Sequence, residues 1–310
     1  AEANTTISDL DKRKAGTRST QGGSPSPQGK GFTVTVSGAY SVMDKDRVPA
    51  SGNKHDFLSI APYFWPNTNP EDGGYHAEDG RTNPDNALGT DRRAFVNMDN
   101  AVNTLSLAYY MTGEERYAQY AAKLLKVWFL RSETKMNPHL NYSQGTPGTN
   151  GLSGRLSGVV EFHELPSILD SISLLQNSPS WEDNDQTRMQ KWARDYLNWL
   201  ETSKFGKNWA NSMSPPNIGT WYWAQVASLA LFTGDTAKAR GVVELAKTRL
   251  IENQINSVGV HVKEIERTKS FHYSLFNLRA LFVLGLVGKQ VGVDLFNYTA
   301  PSGGSIRKAL

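Results

Sequence analysis

The 310-residue chain contains no cysteine. Disulfides, thiolate metal sites and cysteine nucleophiles are therefore excluded, and neither a redox motif nor a zinc finger can be sought. No apolar run reaches the roughly 20 residues that a membrane-spanning helix needs. The six histidines are dispersed, and no two stand at the spacing of a metal-binding pair. His163-Glu164 begins like a metalloprotease helix but lacks the second histidine. Neither a phosphate loop nor a G-x-G-x-x-G turn occurs, so nothing points to a nucleotide, a metal or any other cofactor. The net charge is only +3, and the basic residues are scattered. That argues against a nucleic-acid face and leaves room for a mildly basic groove.

Aromatics are plentiful, with eight Trp and twelve Tyr. Their faces suit stacking on sugar rings, although core packing is the commoner use of such residues. The chain is expected to be secreted, with a signal peptide already removed ahead of residue 1. Asn4, Asn141 and Asn297 begin Asn-x-Ser/Thr sequons, which lean toward a secreted, glycosylated protein.

Residues 1–38 are rich in Ser, Gly, Pro and Lys and read as a weakly ordered segment, with a short strand at Phe32–Val36. Residues 39–98 read as a loop-rich stretch, with charge, aromatics and proline concentrated between Lys54 and Pro66. Helical spacing begins near residue 99 and predicts helices to about 112, then to 130, and over 158–176, 185–203, 220–233, 236–253 and 271–288. Leu107–Glu114 and Leu229–Asp235 are alike: each is a helix, a Thr-Gly-acid hinge and the start of another helix. Repeated helical hairpins predict an all-α fold, an incomplete (α/α) toroid in one domain over 39–310, with its long loops gathered at one end.

Three irregular stretches are placed to line a groove at that end. The first runs from Met136 through Asn137, His139 and Tyr142 to Arg155. The second, Ser214–Gln225, breaks at Pro215-Pro216 and enters a helix through Asn217-Ile218-Gly219-Thr220-Trp221-Tyr222. The third runs from Val260 to Tyr273 and carries Glu266, Arg267 and His272. Arginine can hold a carboxylate through two parallel hydrogen bonds, and His and Tyr can transfer protons. From the residues alone, Arg267 could equally be a surface ion pair, Asn217 a helix cap, and Tyr63 and Trp65 loop packing.

In order along the chain stand Tyr40–Lys45, Ser51–Phe57, Ala61-Pro62-Tyr63-Phe64-Trp65-Pro66, Met136–Tyr142, Gly154-Arg155, Asn217-x-Gly219-Thr220-Trp221-Tyr222 and Glu266–Leu278. With this set the chain resembles the alginate-lyase-like polysaccharide lyases over roughly residues 40–288. The resemblance implies a monomeric enzyme on an α/α toroid that acts on an anionic polysaccharide, a β-linked glucuronan or a mannuronate-rich alginate. The reaction it implies is β-elimination at a uronic acid: the carboxylate is neutralised, a base takes the C5 proton, and an acid protonates the departing O4. Carried over, Asn217 and Arg267 neutralise, and Tyr273 moves the proton with His272 beside it. Lys54, Tyr63, Trp65, Asn137, His139, Tyr142, Arg155, His163, Trp221, Tyr222 and Glu266 then contact sugar. The family's Asn-Asn-His-Gly is Pro216-Asn217-Ile218-Gly219 here, so the motif histidine is missing. His163 or His272 must stand in for it, or Tyr273 acts without it, or the chain only binds its polymer. Arg279 stands where the family leads one to expect an acid. A glycoside hydrolase, using two carboxylates drawn from Glu161, Glu164 and Glu266, is a further alternative.

Overall fold

The computed structural model describes residues 48–68, 74–84, 90–146 and 152–310. The expected weakly ordered segment, the strand at 32–36, the sequon at Asn4 and the motif Tyr40–Lys45 lie outside them. The fold is dominated by helices. α1 (Asp91–Thr112) and α2 (Glu115–Leu125) form one hairpin, and α3 (Leu165–Ser173), α4 (Asp183–Thr202) and α5 (Lys204–Asn211) follow. Then come α6 (Asn217–Phe232), α7 (Thr236–Ala246), α8 (Ser270–Val291) and the short α9 (Ile306–Ala309).

The repeat seen in the sequence is real and extends further than expected. Gly113 ends α1 in the left-handed region at φ 68°, with its N–H on the Tyr109 carbonyl; Gly234 sits at φ 88° between α6 and α7. Glycine alone takes these angles without strain, so each hinge is short and sharp. The acid after the second hinge, Asp235, caps α7 by accepting from Lys238 N at 2.9 Å. Both second helices then end in a π turn, Lys126–Leu130 after α2 and Lys247–Ile251 after α7.

α6 is the hub. It packs against α3, α4, α5, α7 and α8, and 13 of its 16 residues are buried. A helix apolar on every side belongs at a centre rather than at a surface. Tyr222 and Trp223 are core residues, and Tyr222 contacts no groove; its expected role against sugar is corrected by its burial. Trp221 is also almost fully buried. The first turn of α6 rests on Pro215, and a Cβ at Gly219 would lie 2.2 Å from the Pro215 Cβ. Gly219→Ala is expected to lower stability by roughly 1–3 kcal/mol through overpacking, read as a fall in melting temperature with activity reduced in proportion to folded protein.

The loop-rich stretch is more ordered than its composition suggests. β1 (Leu58–Ile60) pairs in parallel with β4 (Tyr142–Gly145), and β2 (Phe64–Pro66) pairs antiparallel with β3 (Tyr75–Ala77). Phe57, just before β1, enters the core beside Phe95 and Phe162, which stack at 4.2 Å. α1 begins eight residues before the helix expected from residue 99. Its first three turns carry Asp91, Arg92, Arg93 and Asp99, which interrupt the apolar periodicity.

Candidate functional site

A cleft of about 640 Å³ opens where β1, β2, β4, the 3₁₀ helix Leu156–Phe162 and the starts of α1, α6 and α8 converge. That size suits a small-molecule or oligosaccharide site, for which roughly 300–1,000 Å³ is typical. Of the residues expected from sequence, Tyr63, Arg155, His163, Asn217, Arg267, His272 and Tyr273 line it, and Ile218 does too.

Tyr273, in the first turn of α8, is buried and donates its phenol to the Tyr63 oxygen. Burial, and then the bond to Tyr63, push its pKa well above the ordinary tyrosine value. The Arg267 guanidinium lies 3.8 Å over the Tyr273 ring, a cation–π contact. Arg267 is itself gripped by Asp79, through Nε at 3.1 Å and a second bond from Nη2. Thr268 adds its backbone N–H at 3.2 Å and its hydroxyl at 3.0 Å to the same carboxylate. The Arg267 bond holds Asp79 far below the usual carboxylate range, and Asp79 raises Arg267 in turn. Gly80, at φ 74°, brings the backbone so close to Thr268 that a Cβ there would lie 2.3 Å from its hydroxyl.

Asn217 is the first residue of α6 and is buried. Its backbone N–H and its side-chain amide both donate to Glu264, at 2.7 and 2.6 Å. The carboxylate therefore caps the positive end of the hub helix and fixes the amide's orientation. Burial raises the Glu264 pKa despite these two bonds. Glu264 was not singled out: its segment, Val260–Tyr273, reads as a groove wall, and nothing local marks this acid as the one that turns inward.

Gln144 is a second amide that the sequence did not single out. It lies buried at the end of β4 with φ 53°, an uncommon angle for a residue with a side chain. Its amide donates to Glu161 at 2.7 Å, its carbonyl accepts from Ser157 at 2.7 Å, and its backbone N–H reaches Ser59 at 2.8 Å. Asn217 and Gln144 are thus built alike. Each has one amide proton committed to a buried carboxylate, and each lines the cleft. A primary amide has two donor hydrogens, so one on each is left for a ligand.

Arg92 is fully committed beneath them. It bonds Glu164 at 2.6 and 2.9 Å and the Glu161 carbonyl at 2.6 Å, and its Nε lies 3.3 Å from the Glu161 carboxylate. Glu161 and Glu164 therefore serve Arg92, while Glu266 is exposed and outside the cleft. No opposed pair of free carboxylates spans the cleft among the described residues, which removes the support for a hydrolase. Arg93, Arg155 and Arg279 also line it without a carboxylate partner among the described residues. Arg155 lies 4.3 Å over the Phe64 ring, and burial draws its pKa below the ordinary arginine value. The wall is therefore cationic overall and fitted to an anion.

Both candidate histidines line the cleft together with Ile218. His163 sits between the Trp221 and Phe276 rings, with Nδ1 2.9 Å from the Val160 carbonyl and Nε2 3.1 Å from Glu164. Burial pushes it down to about 4, so it is neutral at physiological pH. His272 is exposed at the cleft wall, edge-on to Tyr273 and stacked on Phe276.

Several expected sugar contacts lie elsewhere. Asn137 and His139 both hold Asp56, at 2.6 and 3.1 Å, and Tyr142 packs on His139. Trp65 donates to the Arg81 carbonyl under the Arg81 guanidinium. Lys54 is half-buried outside the cleft, and Trp221 lies behind it. Asn137, His139 and Trp65 thus tie loop segments to one another. The sequon Asn141 accepts from Trp199 at 2.9 Å, whereas Asn297 is exposed.

A family model described as alginate lyase matches residues 41–310. Among solved structures, an alginate lyase from Bacteroides ovatus is similar with a TM-score of 0.82 and 32% identity, covering 99% of this chain and 75% of its own. Alginate lyase A1-III from Sphingomonas species A1 is similar at a TM-score of 0.55 and 15% identity, over 99% of this chain and 76% of its own, a likeness of fold. A histidine-to-alanine variant of A1-III complexed with a tetrasaccharide gives 0.53 and 15%, over 89% and 71%. No curated protein matches in a sequence search.

Proposed function

Because the chain belongs to the alginate lyase family, we propose that it cleaves a β-linked uronan by β-elimination, with Tyr273 moving the proton. The observation that carries this reading is one cleft lined by a buried phenol, a guanidinium across its ring and an anchored amide at Asn217. The sugar carboxylate lies against Asn217 and Arg267, with the free amide proton of Gln144 as a third donor. These donors oppose the negative charge that builds on the carboxylate as C5 loses its proton, and such stabilisation is the largest expected contribution.

The absent histidine narrows the substrate. β-Mannuronate and β-glucuronate carry H5 and O4 on one face of the ring. A single tyrosine on that face takes the proton from C5 and returns it to O4. Guluronate, inverted at C5, puts the two on opposite faces and requires a second proton-transfer group. Ile218 has no proton to accept or give. Incubation with polymannuronate or glucuronan is therefore expected to produce the ultraviolet absorbance of an unsaturated uronate, and polyguluronate is expected to stay intact. Absence of that absorbance across all three would sink the reading.

Ile218 also favours a second reading, a uronan-binding protein without turnover. The same assay separates the two when run with a binding titration: saturable binding without absorbance supports the silent form.

A further inference from the structure

Behind the cleft, four buried polar side chains join the segments that carry its proposed chemistry. Gln254, three residues past the second π turn, is the junction. Its amide donates to the Pro215 carbonyl at 2.8 Å and to the Thr220 hydroxyl at 2.9 Å. Its side-chain oxygen accepts from the Asn277 amide at 2.9 Å, and the other Asn277 hydrogen goes to His261 Nδ1 at 2.8 Å. We propose that Gln254 is a positioning residue, which acts through this network to hold Asn217 in line with Tyr273. This role rests on the lyase reading above and adds to it a group that touches no substrate.

Three observations carry it. First, the network ends on the neighbours of the proposed residues. Pro215 and Thr220 bracket Asn217 at the start of α6. Asn277 stands one helical turn beyond Tyr273 on the same face of α8, and both are buried. The His261 carbonyl accepts from the Glu264 N–H at 3.0 Å, and Glu264 is the carboxylate that holds Asn217. The Gln254 carbonyl accepts from the Val262 N–H at 2.9 Å, so Gln254 fixes this loop through its backbone as well. Second, the contacts are directional. All four amide hydrogens of Gln254 and Asn277 are engaged inside the protein. His261 must be unprotonated at Nδ1 to accept from Asn277, and burial pushes its pKa down to about 4, so the bond persists at neutral pH. Such a network has one good alignment, whereas an apolar contact between α6 and α8 would tolerate small slides. Third, none of the four side chains lines the cleft, so none is spent on a ligand. Buried amides are unfavourable unless every partner is in place, and apolar residues would fill the same space at lower cost. These amides lie where α6, α8 and the loop from Val260 meet, and those three bring Asn217, Tyr273 and Arg267 to the cleft.

Gln254→Met nearly keeps the volume and removes the amide. It is compared with the parent, alone and on an Asn217→Ala background. Rates are read by absorbance on polymannuronate, or on glucuronan if the parent prefers it, and are normalised to folded protein by circular dichroism at the assay temperature. Gln254→Met is expected to lower kcat about thirtyfold with KM within about twofold. On the Asn217→Ala background the same substitution is expected to lower kcat less than about twofold, because no amide is left to align. Equal losses in the two backgrounds overturn the role. So does a lower melting temperature with kcat per folded molecule unchanged, because Gln254 then serves stability alone. Should Gln254→Met fail to fold, Thr220→Val decides. It removes one link, is expected to lower kcat about fivefold, and must show the same dependence on Asn217. If the parent cleaves no uronan, the lyase reading falls and takes the positioning role with it. If the parent cleaves while the losses are equal in both backgrounds, only the positioning role falls.

Discussion

Replacing Tyr273 with phenylalanine is expected to reduce turnover about a thousandfold while leaving oligosaccharide affinity within about threefold. The ring and its contact with Arg267 survive this change, so the groove keeps its shape. Only the hydroxyl is lost, and with it both proton transfers that the proposed reaction gives to Tyr273. Single-turnover absorbance measurements give the rate, and calorimetry gives the affinity. A variant retaining more than about a tenth of the parent rate would remove Tyr273 from the chemistry. The sign of the pH dependence follows from the same residue. Burial and the bond to Tyr63 hold the phenol protonated, so the reactive phenolate is scarce at neutral pH. In the parent, kcat/KM should therefore climb with rising pH, approaching tenfold per unit, through the mildly alkaline range. A profile that falls over that range would contradict a tyrosine base.

Glu264→Ala is expected to cost roughly 2–4 kcal/mol of stability and about a hundredfold in kcat/KM. The side chain is buried and satisfies two donors of Asn217, one from the backbone at the start of α6 and one from the amide. Removing it leaves both without a partner in the interior, and orphaned groups of this kind cost about 1–3 kcal/mol each. The amide then loses its fixed orientation, and the carboxylate of a bound sugar loses an aligned donor. Chemical denaturation gives the first quantity and initial rates give the second. Glu264→Gln discriminates between the causes. It retains one acceptor oxygen, so it should recover most of the stability while activity stays depressed if amide alignment matters. Full activity in Glu264→Ala would show that Asn217 needs no anchor.

Much of the fold was legible because helical hairpins repeat a local pattern. The Thr-Gly-acid hinges at 112–114 and 233–235 announce themselves through glycine's left-handed angle. The missed pieces are those where polar groups turn inward. α1 starts early because Arg92 and Asp99 occupy positions that an apolar stripe would fill, and they serve a buried ion network. α5 is short and falls between the helices expected over 185–203 and 220–233. In the cleft, the motif-borne residues Asn217, Arg267 and Tyr273 were legible. Glu264 and Asp79, which hold Asn217 and Arg267, were not, and neither was Gln144, since their roles depend on contacts distant in sequence. Asn137 and His139 misled for the converse reason. Their residue types suit sugar binding, but their partner is Asp56, 81 residues from Asn137.

The clasp across the cleft mouth bears on how the chain acquires competence. Tyr63 meets Tyr273 across 210 residues, and Asp79 meets Arg267 across 188. Such contacts close very long loops, and loop closure is repaid only after the intervening helices have docked. The hairpins form from local contacts and need no such wait. Secondary structure is therefore expected to return early on refolding from denaturant, with the cleft among the last parts to assemble. A partly folded chain can be nearly native in helix content and still be inert.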